Sequence, residues 1–404
     1  MKIPFNKPFL TGNEAEYIRK AVYSGKLSGN GVYTRKCQKF FEDRYGFRKA
    51  LMTTSCTDAL EMAAILCDIK PGDEVIAPSY TFVSSVLAFV RQGARIVFCD
   101  SCKDNPDIDP DKIEALITPK TKVIVPVHYA GVACDMDRFM DIAARHNLLV
   151  VEDAAQAIDS YYKGRALGSI GHLGCFSFHE TKNIIAGEGG LLTINDPRFI
   201  RRSEIIWEKG TNRSEFFRGE VNKYGWVDTG SSFLPSELIS AFLWAQIENL
   251  DMIQTRRKEL WLRYHAGLQE LADKGYISLP VIPDYATNNA HMFYVVCRSL
   301  KERTALIKHL KDNDILSVFH YLSLHKSAFY TTHPDFRPDN CRDVETVAVT
   351  NFDGTVTDEV QIVGLDLPEC DRYADCLLRL PMYYELTDQE CDQVIGCIRD
   401  FFIG

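Results

Sequence analysis

No stretch of this 404-residue chain holds the roughly 18 consecutive apolar residues of a membrane-spanning helix, so nothing in it reads as a transmembrane segment. Its opening residues, "MKIPFNKPFLTGNEAEY", have no signal-peptide apolar stretch either. Positive charge is also scarce. The net charge is -9, and the basic clusters Arg201-Arg202 and Arg256-Arg257-Lys258 are short, reading as solvated helix faces rather than a nucleic-acid footprint. Paired metal-binding cysteines are missing too. Of thirteen cysteines, Cys99 and Cys102 form one isolated C-x-x-C, "CDSC", with no second pair or matched histidines nearby, so no zinc site is expected. The other cysteines in apolar runs read as small core residues. Thiols without an export signal lead to the expectation of a cytoplasmic protein. The chain has neither an amino-terminal G-x-G-x-x-G nor a G-x-x-x-x-G-K-[ST]; "GEGG" at 187–190 is too short and misplaced for a dinucleotide fingerprint. A nicotinamide-dependent enzyme on a Rossmann fold is thereby disfavoured.

What is present suits a substantial core: 46% of residues are hydrophobic, and the length predicts two or three domains, or one large domain and a smaller one. From about residue 50 to 200, short apolar runs alternate with helical spacing. "EVIAPS" (74–79), "RIVFCD" (95–100), "KVIVPVHYAG" (122–131), "LLVVEDAAQ" (148–156) and "GCFSFHETK" (174–182) read as strands. "CTDALEMAAILCDI" (56–69), "SSVLAFVRQG" (84–93), "DPDKIEALI" (109–117) and "DMDRFMDIAARHN" (135–147) read as helices. This rhythm predicts α/β architecture with a mostly parallel central sheet buried on both faces. One long helical stretch, 235–275, leads to a smaller carboxyl-terminal α+β region with a strand at 291–297 and helices at 301–315 and 386–402. The expected division is 1–250 and 251–404, with a soft boundary. "VETVAVT" and "EVQIVGL" flanking "NFDG" predict a β-hairpin at about 340–366.

In such sheets ligands gather at the carboxyl ends of strands, where Asp153 and Lys182 fall. A desolvated lysine is pushed toward the neutral amine, the nucleophile that forms Schiff bases; a snorkelling side chain on a strand edge is the plainer reading. Asp153 could pair with a protonated pyridine nitrogen or serve as the N-cap of a following helix. Gln156, one turn on, could donate to a ring oxygen or be an ordinary polar helix residue. The small polar turn Thr53 to Thr57 opens an apolar helix and suits a phosphate. Ser177, alternating with Lys182 along the strand, could add a hydroxyl.

Seven spaced blocks, "SGKLSGNG", "SCTDALEMA", "PGDEVIAPSYTFVSS", "PVHYAG", "VVEDAAQA", "GCFSFHETKN" and "RLPMYYELT", together resemble the DegT/DnrJ/EryC1/StrS family of sugar aminotransferases. The resemblance implies a fold-type-I transferase dependent on pyridoxal 5'-phosphate (PLP). Lys182 then matches the lysine that holds the cofactor covalently and shuttles the proton, Asp153 the carboxylate facing the pyridine nitrogen, and Gln156 the partner of the ring hydroxyl. Phe82 matches the stacking aromatic, and Cys56, Thr57 and Ser177 the phosphate cup. Ser232 stands where many members place an asparagine reaching the partner subunit's phosphate site, and Leu234 where they have arginine. For substrate, the expected contacts are Lys26 to a pyrophosphate, Arg213 or Arg218 to a carboxylate, and His320 and Tyr321 near the sugar; for each, a solvated charge or a packed side chain is the plainer reading.

Within the family, "HYAGVACDMD", "SFHETKN" and "EKGTNRSEFFRGEVNKYGW" point to members that use L-glutamate to turn dTDP-4-keto-6-deoxyglucose into dTDP-4-amino-4,6-dideoxygalactose for surface polysaccharide such as enterobacterial common antigen. The alternative is another nucleotide-linked keto sugar. A homodimer with shared active sites is implied, with no nucleic-acid or membrane partner. Lys182 argues against the related dehydratase branch, which has histidine there, and no DNA-binding helix-turn-helix supports a non-catalytic regulator.

Overall fold

A computed structural model describes residues 3–339, 341, 344–350, 356–363 and 365–404. Its centre is a seven-stranded sheet. In spatial order the strands are Lys49–Thr53, Gly190–Ile194, Leu173–Ser177, Leu149–Asp153, Thr121–Ile124, Glu74–Pro78 and Arg95–Cys99. All neighbours from Leu173–Ser177 outward pair in parallel, whereas Gly190–Ile194 runs antiparallel to both of its neighbours. Alternation of side chains explains the two-sided burial. Val75, Ala77, Ile96, Phe98 and Val123 enter one core with the Cys56–Leu66 and Ser84–Val90 helices. Ile76, Val97, Cys99 and Ile124 enter the other, against Val32–Tyr45, Met136–His146 and Glu237–Ile247.

A second, antiparallel sheet orders Ile277–Ser278, Phe293–Cys297, Leu377–Leu380 and Val318–Phe319. The helices Leu250–Asp273, Leu300–Asp312 and Asp388–Ile403 cover it through a third core around Phe293, Leu306 and Ile398. Thr387 and Glu390 close a reciprocal capping box at the start of the last helix. The segments Val344–Thr350 and Val356–Val363 pair antiparallel with a register shift at Val349/Thr350; the "NFDG" turn expected between them lies outside the described residues.

Several expectations need correction. The 235–275 stretch is two helices, Glu237–Ile247 and Leu250–Asp273, broken at Asn249, whose φ of -113° is not helical. The 109–117 helix shrinks to Pro110–Ile113 followed by a 3-10 turn. The 122–131 strand stops at Ile124 because Pro126 offers no N–H, and Ala130 then turns at φ 56°. The strand through Lys182 ends at Ser177. No helix follows Asp153, so it caps none; its Oδ1 instead accepts the Ala155 amide at 3.1 Å across a turn. Among the described residues no helix is long and apolar enough to cross a membrane, and no group of His, Cys, Asp or Glu is placed to hold a metal ion. All thirteen cysteines are free thiols.

Candidate active site

Lys182 is carried by a loop, not a strand end. That loop leaves the sheet at Ser177 and returns at Gly190, which are paired in the antiparallel register. It is tied across by Phe178 N–H to Gly189 O (2.8 Å), Glu180 N–H to Gly187 O (3.0 Å) and Ala186 N–H to Phe178 O (2.7 Å). Ser177 therefore does not alternate with Lys182 along one strand; its Oγ accepts the His179 amide at 3.3 Å. The Lys182 side chain is partly buried. Burial pushes its amine below the ordinary lysine value, the Arg379 charge adds to this, and Cys56 and Asp153 oppose it. Among the described residues its Nζ has no hydrogen-bond or ion-pair partner.

Asp153 ends its strand 5% exposed. Ser85 Oγ donates to its Oδ2 at 2.6 Å. Burial raises its carboxyl above the usual range, while Ser85, the Ala155 amide, Lys182 and His128 pull it back. A buried carboxylate without an ion pair among the described residues is costly and ready for a cation. Gln156, also 5% exposed, lies in a turn rather than a helix. Its Oε1 accepts the Ala130 amide at 2.6 Å and its Nε2 donates to Tyr321 OH at 3.0 Å. Tyr321 is held at φ 39°, a costly backbone for an aromatic residue. Its ring stacks on His320 (centroids 3.5 Å) and stands 6.1 Å from Phe82.

His320 is 6% exposed; burial, then Arg379, keep its imidazole neutral, and its Nδ1 is 2.6 Å from Tyr129 OH. It thus packs behind Tyr321. Phe82, by contrast, is 55% exposed, leaving a ring face open. Cys56 and Thr57 occupy the first helical turn. The N-cap Ser55 takes only the Asp58 amide, so the amides of Cys56 and Thr57 have no intrahelical acceptor. The Thr57 hydroxyl meets Ser84 Oγ at 2.8 Å. A Cβ on Gly190 would lie 2.3 Å from Ser55 O and 2.5 Å from Cys56 N, so only glycine lets that strand approach the helix start. Burial pushes the Cys56 thiol up, with Asp153 adding and Lys182 opposing; the thiol stays neutral.

The structure thus gathers Lys182, Asp153, Gln156, Phe82, Cys56, Thr57, His320 and Tyr321 around one mouth of the sheet. Lys26, Arg213 and Ser232 lie exposed with partners of their own. Lys26 Nζ donates to Asn30 O at 2.9 Å, Arg213 sits over Phe217 and 4.0 Å from Glu208, and Ser232 bridges the Glu208 backbone. Sequence reasoning missed Ser85, Tyr129 and Arg379. It also missed the layer beneath Lys182, where Asn183 Nδ2 donates to Gln254 Oε1 (2.7 Å) and Asn289 O (2.8 Å) and its Oδ1 meets His291 Nδ1 (2.9 Å). The one available signal was an arginine inside the apolar run "CLLRLP".

These residues fit PLP. Among the described residues Asp153 is a buried carboxylate without a cation, Lys182 a half-buried amine without a partner, Phe82 an open ring face, and the first turn at Cys56 a set of amides left for a phosphate.

Comparison with known proteins agrees. The DegT/DnrJ/EryC1/StrS aminotransferase family profile matches residues 8–352. The chain is 31% identical to the spore coat polysaccharide biosynthesis protein SpsC of Bacillus subtilis (strain 168), over 100% of this chain and 97% of that protein. It is 30% identical to GDP-perosamine synthase of Caulobacter vibrioides, over 98% of this chain and 97% of that protein. Among solved structures it is similar to the PMP form of Spr1654 from Streptococcus pneumoniae, with TM-score 0.85 and 25% identity over 99% of this chain and 98% of that one.

Proposed function

The chain belongs to the DegT/DnrJ/EryC1/StrS aminotransferase family, and from that premise we propose that it moves the amino group of L-glutamate onto C4 of dTDP-4-keto-6-deoxyglucose, giving dTDP-4-amino-4,6-dideoxygalactose for surface polysaccharide. It is a PLP-dependent sugar aminotransferase. The joining of Lys182, Asp153 and Gln156 with Tyr321 at one site carries the aminotransferase reading, and the blocks "HYAGVACDMD", "SFHETKN" and "EKGTNRSEFFRGEVNKYGW" support the dTDP sugar as its substrate.

Bound PLP supplies an electron sink for the reacting carbon and carries the amino group between substrates. In this reading the Asp153 carboxylate would accept from its ring nitrogen, Gln156 with Tyr321 would hold its ring hydroxyl, and Phe82 would offer a stacking face. The amides of Cys56 and Thr57, with the hydroxyls of Thr57 and Ser177, would hold its phosphate. Lys182, inclined by burial to its neutral form, removes a proton from the Cα of glutamate with Nζ. In the second half it delivers a proton to C4 of the sugar. One amine serving both halves predicts ping-pong kinetics.

The likeness to GDP-perosamine synthase favours a second reading, a GDP-linked keto sugar. One experiment separates them. The PLP-loaded enzyme is converted with L-glutamate, freed of it, and given dTDP- or GDP-linked 4-keto-6-deoxy sugar while absorbance is followed. Return of the PLP band with the dTDP sugar alone supports the first reading, and return only with the GDP sugar sinks it.

We also propose a cytoplasmic homodimer with shared active sites. The exposed Ser232 and the aromatic surface of Phe217, Tyr224 and Trp226, the last 83% exposed, support it. Sedimentation should give twice the chain mass, and a monomer that is fully active would refute it.

A further inference from the structure

Arg379 is an unexplained charge at this site. It stands in the Leu377–Leu380 strand, opposite Tyr294 on one side and Val318 on the other. Its Nε is buried and has no hydrogen-bond partner among the described residues. Its Nη2 donates to Phe319 O at a long 3.4 Å, and its Cζ lies 4.8 Å over the Phe5 ring. Among the described residues no carboxylate pairs with it.

Its surroundings show where its charge acts. Burial pushes the guanidinium down, against the influence of Tyr129, Tyr321 and Tyr80. The same charge lowers Lys182 and His320, so Arg379 lies within electrostatic reach of the amine that does the chemistry. A partly buried guanidinium whose Nε is shut off from water and empty is held at a cost, and its planar fork is the match of a carboxylate. A nucleotide diphosphate is bulkier and more strongly hydrated than the tyrosine-walled position of Nε suits. The PLP phosphate is already provided for at the Cys56 turn. An amino acid, in contrast, brings a small planar anion within a few bonds of the carbon that Lys182 deprotonates.

We propose that Arg379 binds a carboxylate of the amino-acid donor in the first half-reaction. This deepens the aminotransferase reading and rests on it. The sugar brings no carboxylate, so Arg379 serves only one of the two substrates that share the site.

The test uses PLP-loaded enzyme and two variants, Arg379→Gln and Arg379→Lys. Calorimetry with glutarate, a dicarboxylate without an amine, reads binding apart from turnover. Loss of a buried charge-assisted pair of this kind commonly weakens binding about 100-fold, which is the loss expected for R379Q, with partial rescue in R379K. The L-glutamate half-reaction should weaken in parallel, through its concentration dependence, and by more than conversion of the PMP-loaded enzyme by keto sugar, where the lost charge acts only through Lys182. L-glutamine and L-isoglutamine then assign the carboxylate: the donor that R379Q no longer penalises is the one lacking the group Arg379 holds.

Glutarate binding equal in R379Q and wild type overturns the proposal. So does loss confined to the keto-sugar half. Should R379Q fail to fold, wild type decides alone, since equal binding of glutarate and its neutral diamide also overturns it. A wild type converted by no amino acid would remove the aminotransferase reading instead, while the glutarate result would still judge Arg379.

Discussion

Lys182 combines two properties that rarely coexist stably, partial burial and a side-chain nitrogen without a protein partner among the described residues. Its amine is held below the ordinary lysine value by burial first, so the folded chain binds fewer protons there than the unfolded chain does. Such a group costs stability at neutral pH, and the cost fades as pH rises toward the ordinary lysine range. Lys182→Met should therefore raise the melting temperature of the cofactor-free protein at pH 7, by an amount that shrinks toward pH 10. The same variant should lose at least about a thousandfold in turnover. Higher stability together with lost activity marks a residue kept for chemistry; a variant that melts lower at pH 7 would contradict the burial argument.

At the scale of elements, one carboxylate organises a whole segment. Glu237, 2% exposed at the start of its helix, accepts the amides of Gly31 (2.8 Å), Tyr33 (2.7 Å) and Thr34 (3.1 Å), and the Thr34 hydroxyl as well. It thereby fixes the start of the Val32–Tyr45 helix and the loop that carries Lys26. Glu237→Ala leaves several buried donors unsatisfied and should cost on the order of 3 kcal/mol, measurable by urea unfolding. Nothing in the sequence announced this clamp, because its partners lie two hundred residues away. Legibility followed range. The strands that are plain apolar runs, such as Glu74–Pro78 and Arg95–Cys99, could be read directly. Lys49–Thr53 and Gly190–Ile194 were missed, the first opening on a lysine and the second hidden behind a glycine loop. Asp153 and Lys182 stood out because charges follow apolar runs; Ser85 and Arg379 became visible only through contacts that the fold creates.

For the molecule as a whole, stability between about pH 4 and 7 turns partly on a carboxyl that lies behind the site and takes no part in its chemistry. Asp107 is buried, accepts the Tyr129 amide at 3.0 Å, and has its carboxyl pushed up to about 7 by that burial, against the pull of His128. Its folded value lies above the unfolded one, so its contribution is complete below about pH 4 and is lost as pH climbs to 7. Asp107→Asn can keep the Tyr129 bond and cannot ionise. It should gain on wild type across that interval by on the order of 3 kcal/mol, and parallel stability curves would count against the assignment. The loop bearing Lys182 has a different kind of significance. Its two ends are fixed by the pairing of Ser177 with Gly190 and by the cross-ties at Phe178, Glu180 and Ala186. Adding one residue between 178 and 189 must either slip the strand, turning Leu191 and Leu192 to opposite faces, or carry the amine away from Asp153. The stretch is thus held to its length as strictly as to Lys182 and the buried Asn183 within it, so its residue count is as much a part of the site as either side chain.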